Sequence, residues 1–297
     1  MDYFKVFPRK QLLNFYKESL RKELDMEKLY VFGTGNAQAV RCYNTCFALK
    51  DGEEFFMVDA GGGNGILKIL EDMKVELSQI HHIFVTHEHT DHILGIVWMV
   101  RMIATAMKKG NYEGQLRIYC HHELTDTIST LCRLTLQGKF YKMIGERIFL
   151  VPVEDGETVR ILDHDVTFFD ILSTKAKQFG FTFALKDGRK LTCAGDEPLS
   201  AECVPYVKGS SWLLHEAFCL YEDRDRFKPY EKHHSTVKEA CELAERLDIP
   251  HLVLWHTEDK RLADRKALYT AEGKEYYRGE LHVPDDGEIL CISTPFL

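Results

Sequence analysis

Between positions 86 and 92 the chain reads Thr86-His87-Glu88-His89-Thr90-Asp91-His92, which packs three imidazoles and the Asp91 carboxylate into six positions. Imidazole and carboxylate donors at this density suit zinc and other borderline first-row metals, with manganese or iron as alternatives. The segment follows the strand-like His82-Ile83-Phe84-Val85 and precedes an apolar, helix-like run. At such a strand end the chain can turn His87, His89, Asp91 and His92 toward one point. The bland alternative is a polar loop in which histidines happen to cluster.

The elements that would hold this segment are legible in the apolar pattern. Strand-length runs occur at Leu29 to Phe32, Thr45 to Leu49, Phe55 to Val58, His82 to Thr86, Leu116 to Tyr119, Phe179 to Leu185, Lys190 to Ala194, Trp212 to His215 and His251 to His256. Between them, apolar spacing of three and four predicts helices at Gly65 to Met73, His92 to Met107, His122 to Leu134 and Thr236 to Leu247. Lys186-Asp187-Gly188 between two of the strands predicts a hairpin, since Asp-Gly favours tight-turn backbone angles. The class is therefore α/β with some antiparallel pairing, which disfavours a purely parallel doubly wound sheet.

The 297 residues show no repeat, low-complexity tract or Pro/Gly-rich linker, so one domain over residues 1–297 is expected. With 45% hydrophobic and 28% charged residues, and no apolar run long enough for a bilayer, no membrane association is expected. Met1 to Arg9 lacks the apolar core and cleavage site of a secretory signal, so a soluble, cytoplasmic protein is expected. Nine cysteines are scattered singly from Cys42 to Cys291 without a CxxC pair, the pattern of reduced thiols. A formal charge of −8 argues against indiscriminate nucleic-acid binding, although it leaves room for a local basic patch.

The His87–His92 segment carries the H-x-H-x-D-H signature and resembles the metallo-β-lactamase superfamily. The likeness continues in chain order through Phe32-Gly33-Thr34-Gly35, Phe56-Met57-Val58-Asp59-Ala60-Gly61, Ala194-Gly195-Asp196 and Leu254-Trp255-His256. Within the superfamily the chain is most similar to ribonuclease Z, through Phe32 to Ala37, Leu214-His215-Glu216-Ala217-Phe218 and His234-Ser235-Thr236. Gly33-x-Gly35 is a turn rather than a dinucleotide fingerprint, because position 38 is Gln where a third glycine is needed.

The resemblance implies a four-layer αββα sandwich of two mixed sheets, with the metal cluster at one edge between them. It implies up to two metal ions per chain, zinc first: one held by His87 and His89, the other by Asp91, His92 and His256, with Asp196 bridging. Water between the metals would ionise and attack, oriented by Asp91, while His234 supported by Glu216 would protonate the departing oxygen. Phosphodiester hydrolysis of a small-molecule or nucleotide-like substrate, with RNA also open, is the implied activity, and a homodimer is the implied assembly. Rival readings are hydrolysis of an ester, lactone or thioester on the same centre, or a noncatalytic metal or nucleotide sensor. Ser235 and Thr236 have a structural reading too, as helix-capping residues.

Two departures from the ribonuclease Z pattern stand out. The stretch Leu172 to Gly180, where the family carries a third histidine ligand, has none, leaving Ser173 or Thr174 as weak donors. Only the hairpin from Phe179 to Asp196 separates that stretch from the bridging carboxylate, which leaves no room for the long arm of short bacterial ribonuclease Z. His81, His82, His121, His122, His164, His251 and His282 have no motif position and are expected at the surface or satisfied in the core. His215 and His233 adjoin candidate residues and could line the pocket.

Overall fold

The computed structural model describes residues 26–293, so the Met1 to Arg9 segment read above lies outside the described residues. Two seven-stranded sheets form the centre. The first runs in the order β14 (Ile289–Cys291), β1 (Lys28–Gly33), β2 (Cys46–Asp51), β3 (Glu54–Val58), β4 (Ile80–Phe84), β5 (Leu116–His121) and β6 (Ile148–Val153). The second runs β13 (Glu280–His282), β12 (His251–Trp255), β11 (Trp212–Glu216), β10 (Lys190–Cys193), β9 (Phe179–Ala184), β8 (His164–Asp170) and β7 (Thr158–Ile161). Both are mixed: β1 through β3 pair antiparallel while β3 through β6 pair parallel, and likewise β7 through β10 antiparallel and β10 through β13 parallel.

Strand periodicity of two explains how one chain makes four layers. Phe47, Leu49, Phe56, Val58 and Phe84 face inward, where they meet Phe179, Phe181, Phe183, Trp212, Val253 and Trp255 of the second sheet. Their sequence neighbours Cys46, Ala48, Phe55, Met57 and Ile83 face outward, onto α1 (Gly65–Asp72), α2 (Thr90–Lys109) and α3 (His122–Thr135). On the other side Leu213, Leu252 and Leu254 pack against α4 (Val237–Arg246) and α5 (Arg265–Tyr276). The αββα sandwich of two mixed sheets is thus the observed fold.

The predicted Asp-Gly hairpin is present, with Gly188 at φ +83° in the turn joining β9 to β10. Both glycines of Gly33-x-Gly35 serve close backbone approach, since a Cβ at Gly33 would stand 2.1 Å from the Asn44 carbonyl oxygen and one at Gly35 2.4 Å from the Ala39 Cβ. Among the described residues every cysteine is a free thiol. No helix among them is long and apolar enough to cross a membrane.

Candidate metal centre and active site

The H-x-H-x-D-H segment is turned by a buried carboxylate. Beyond β4 the chain leaves the sheet as Asp59 accepts hydrogen bonds from the Thr86 N–H and the Thr86 hydroxyl, both at 2.8 Å. His89 stays extended as the N-cap of α2, which begins at Thr90, two residues before the expected His92. This places Asp91 and His92 on the first turn, both buried, and aims them back at the strand end. Gly95 lets the helix approach, as a Cβ there would sit 1.9 Å from the Ala60 carbonyl oxygen.

Asp59 also sets the tautomers. His92 Nδ1 lies 2.7 Å from Asp59 Oδ2 and donates to that carboxylate, which makes Nε2 the nitrogen turned to the cluster and, once its proton is displaced, the one that can bind a metal. The single Thr86 hydroxyl proton goes to Asp59, so His87 Nδ1, at 2.9 Å from Thr86 Oγ1, is the donor there and its Nε2 keeps the lone pair, 2.9 Å from His89 Nδ1. Both Nε2 atoms turn toward Asp196, which follows β10. Asp196 Oδ2 lies 3.6 Å from His87 Nε2, 3.5 Å from His92 Nε2 and 3.5 Å from His256 Nε2. His256 arrives from the end of β12 with its backbone at φ +56°.

Two donor groups therefore converge: His87, His92 and Asp196 form one, and Asp91, His92 and His256 the other, each with ligand atoms within 4.8 Å of one another. His89 is half-buried and joins neither group, although its Nδ1 lies 2.9 Å from His87 Nε2. His92 Nε2, His256 Nδ1 and Asp196 Oδ1 are buried without a hydrogen-bond partner. Orphaned buried polar atoms of this kind are costly unless a cation fills the space between them.

The proton affinities say the same. Burial holds the His87 imidazole well below its ordinary pKa, helped by the neighbouring His92 and His89, and burial lowers His256 to about 4, so both are neutral donors. Burial alone would raise Asp196, but His87, His92 and His256 around it hold it well below the carboxylate range. Asp91 is lowered against the same burial by His92 and His256. At His92 burial is outweighed by Asp91, Asp59 and Asp196, which raise its pKa well above that of free imidazole. This residue set fits a divalent metal.

Glu216 ends β11 fully buried, and its Oε1 accepts from the Ser235 backbone N–H and hydroxyl. Its Oε2 lies 3.6 Å from His234 Nδ1, and neither atom has a hydrogen-bond partner. The His234 ring stacks on Phe218 at 4.9 Å between centroids and stands 5.2 Å from the His256 ring, which brings it to the edge of the donor cluster. The capping reading holds as well, since Thr236 closes a capping box with Glu239 at the start of α4.

In front of these groups lies a cleft of about 320 Å³ lined by His89, Asp91, Asp196, His234, His256, Phe218, Asn36 and two lysines, Lys175 and Lys232. Sequence reasoning missed the lysines: they stand 57 positions apart, and only the fold brings the Lys175 ammonium 3.1 Å from the Lys232 carbonyl. The two weak donors considered for the absent third histidine are engaged elsewhere. Ser173 donates to Glu197 at 2.7 Å, and Thr174 meets His233 Nδ1 at 3.2 Å. His233 is exposed, and neither it nor the buried His215, whose Nδ1 meets the Glu216 carbonyl at 2.6 Å, lines the cleft. His121, expected to be satisfied or at the surface, is buried at the end of β5 with both ring nitrogens unpartnered.

A profile of the family described as "Anti-Pycsar protein Apyc1" matches residues 27–273. The chain is 24% identical over 270 residues to ribonuclease Z of Porphyromonas gingivalis, which spans 77% of this chain and 88% of that protein. Its fold superposes on the metallo-β-lactamase fold protein YhfI of Bacillus subtilis with a TM-score of 0.71 at 16% identity, covering 90% and 99% of the two chains. The short form of human tRNase Z superposes with a TM-score of 0.69 at 21% identity, covering 91% and 100%. With the fold, the ordered motifs and the profile in agreement, the chain is a metallo-β-lactamase superfamily hydrolase close to ribonuclease Z, and it belongs to the Anti-Pycsar protein Apyc1 family.

Proposed function

We propose that the protein hydrolyses a small, nucleotide-like phosphodiester. The observation that carries this reading is the Glu216–His234 pair beside the donor cluster, a proton-handling unit in a cleft that also presents two lysines. Relatives named ribonuclease Z and tRNase Z support phosphodiester chemistry by name. His87, His89, Asp91, His92, Asp196 and His256 would hold up to two divalent ions, zinc by the chemistry of the donors. Such ions supply Lewis acidity and bring the pKa of water toward neutrality.

Around that centre the side chains divide the work. Asp91 accepts a hydrogen bond from the attacking water and orients it toward phosphorus. Lys175 and Lys232 attract the phosphodiester anion, whose charge the acidic chain as a whole would repel. His234 turns Nδ1 to Glu216, so its other nitrogen is the one that can protonate the departing oxygen. Glu216, held by Ser235, positions the ring and stabilises the imidazolium.

A cleft of about 320 Å³ is at the small end of ligand sites, and the short turn between β9 and β10 leaves the protein without an arm to grip a large RNA there. The test is a panel on zinc-loaded protein: bis(p-nitrophenyl) phosphate, mononucleotide-sized phosphodiesters, a nitrophenyl ester, a lactone, a thioester and a tRNA precursor. Small phosphodiesters should give the highest kcat/KM. Turnover of the ester, lactone or thioester alone would refute the phosphodiester reading, and inertness toward all substrates would favour a sensor. Equal cleavage of the tRNA precursor would refute the size argument.

A further inference from the structure

At the far end of the second sheet lies another convergence of metal-binding side chains. We propose that His251, Glu280 and His282 form a separate divalent-metal site that clamps the edge strand β13 to β12. One ligand atom from each lies within 4.8 Å of the other two, a spacing matched among the described residues only by the two groups of the active centre. His251 stands at the start of β12 and His256 just past its end, so the two sites are about 16 Å apart at ~3.3 Å per residue.

Strand register builds the cluster. His251 pairs directly with Glu280 across β12 and β13, and His282, two residues on, shares the face of Glu280. Trp212, the register partner of His251 on β11, forms a floor under both imidazoles, with centroids 4.2 Å from His251 and 5.0 Å from His282. The rings are thereby held in place before any ligand arrives.

The contacts within the cluster are those of ligands without their metal. His251 Nδ1 lies 3.2 Å from Glu280 Oε2 and His282 Nε2 lies 3.5 Å from Glu280 Oε1. Those distances bracket the ~3.3 Å edge of a tetrahedron built on ~2.05 Å zinc bonds. Both nitrogens are buried, and each faces an oxygen of the Glu280 carboxylate. Two imidazoles and a carboxylate favour zinc, copper or nickel over magnesium or calcium, with a further coordination position open to water.

The clamp has a structural use. β13 is a three-residue edge strand, and the chain beyond it supplies Asp285, which pairs with buried Arg265 at 3.0 Å, and Asp286, which accepts from Thr34 at 2.8 Å beside the segment carrying Asn36 into the cleft.

The experiment uses zinc itself. Metal-stripped full-length protein, Glu280→Gln and His282→Gln are equilibrated with zinc, freed of excess, checked for native circular dichroism and analysed for bound metal. The unmodified protein should retain one zinc per chain more than either variant, with phosphodiesterase activity the same in all three. As a second readout, zinc should raise the Tm of His256→Ala, whose active centre lacks a donor, by more than it raises that of His256→Ala/Glu280→Gln. An equal zinc count in all three proteins, or an equal Tm rise in the two His256 variants, overturns the assignment.

Discussion

Replacing Asp59 with asparagine keeps the size of the side chain but removes its capacity to serve three donors. In the native site Oδ1 accepts from the Thr86 N–H at 2.8 Å, and Oδ2 accepts from the Thr86 hydroxyl at 2.8 Å and from His92 Nδ1 at 2.7 Å. An asparagine oriented with its oxygen at Oδ2 sets its amide group against the Thr86 N–H, leaving a buried donor unsatisfied at about 1–3 kcal/mol. The flipped amide instead donates to His92 Nδ1, which forces the ring proton onto Nε2 and removes the lone pair that faces Asp91 and Asp196. Either outcome lands on the metal centre. Loss of a carboxylate orienting a ligating histidine typically weakens metal binding 10- to 100-fold, or about 1.4–2.7 kcal/mol. Competition against a chromogenic chelator, with circular dichroism as the check on folding, measures this directly. A folded Asp59→Asn protein that binds zinc as tightly as the unmodified chain would refute the tautomer argument.

His234→Gln should lower kcat about 10²- to 10⁴-fold on substrates with a poor, alkoxide-like leaving group and much less on nitrophenyl phosphodiesters, whose leaving group departs without a proton. Equal losses on both classes, measured by steady-state kinetics, would remove His234 from the general-acid role. The two metals should bind unequally: by the ligand sets the resemblance implies, Asp91, His92, His256 and Asp196 would offer four donors, whereas the other metal would draw on His87, Asp196 and His89, which stands outside both convergent groups, with Ser173 and Thr174 bound elsewhere. Zinc titration of stripped protein should resolve a tight and a weak step, with the tight step lost in His256→Ala; two equal, tight sites would contradict the ligand count. Stability of the metal-free protein should fall as pH drops from about 6.5 toward 4. Burial lowers His82 and His256 to about 4 in the folded state, so the unfolded chain takes up protons first and their contribution, complete above 6.5, is lost in that window. A Tm that stays level or rises on acidification from pH 6.5 to 4.5 would contradict this.

How much of this was legible in the sequence depends on whether the information was local. The H-x-H-x-D-H segment, the Asp-Gly turn and the continuous apolar runs of β2, β3 and β11 announce themselves because the signal lies within the element itself. The edges were not legible: β6 contains Pro152, β7 has four residues, and β13 and β14 have three each, too short for alternation to show. Side chains assembled by tertiary register were equally hidden. Lys175 and Lys232 meet across the cleft from distant loops, and His251 and His282 read as unassigned imidazoles until parallel pairing of β12 with β13 sets them around Glu280. Asp59 was visible only as part of a turn, because its bonds to Thr86 and His92 cross 27 and 33 positions of sequence.

The central claim, a metal-dependent phosphodiesterase centred on Asp196, is tested most directly by measuring metal content and hydrolysis together. Protein stripped by chelation is titrated with zinc while the hydrolysis of bis(p-nitrophenyl) phosphate and the bound zinc per chain are followed in the same samples, alongside Asp196→Asn. Activity should vanish on stripping, return as the active centre fills, and fail to return in Asp196→Asn. Hydrolysis that survives complete metal removal, or a zinc-filled protein that leaves the phosphodiester intact, would contradict the account.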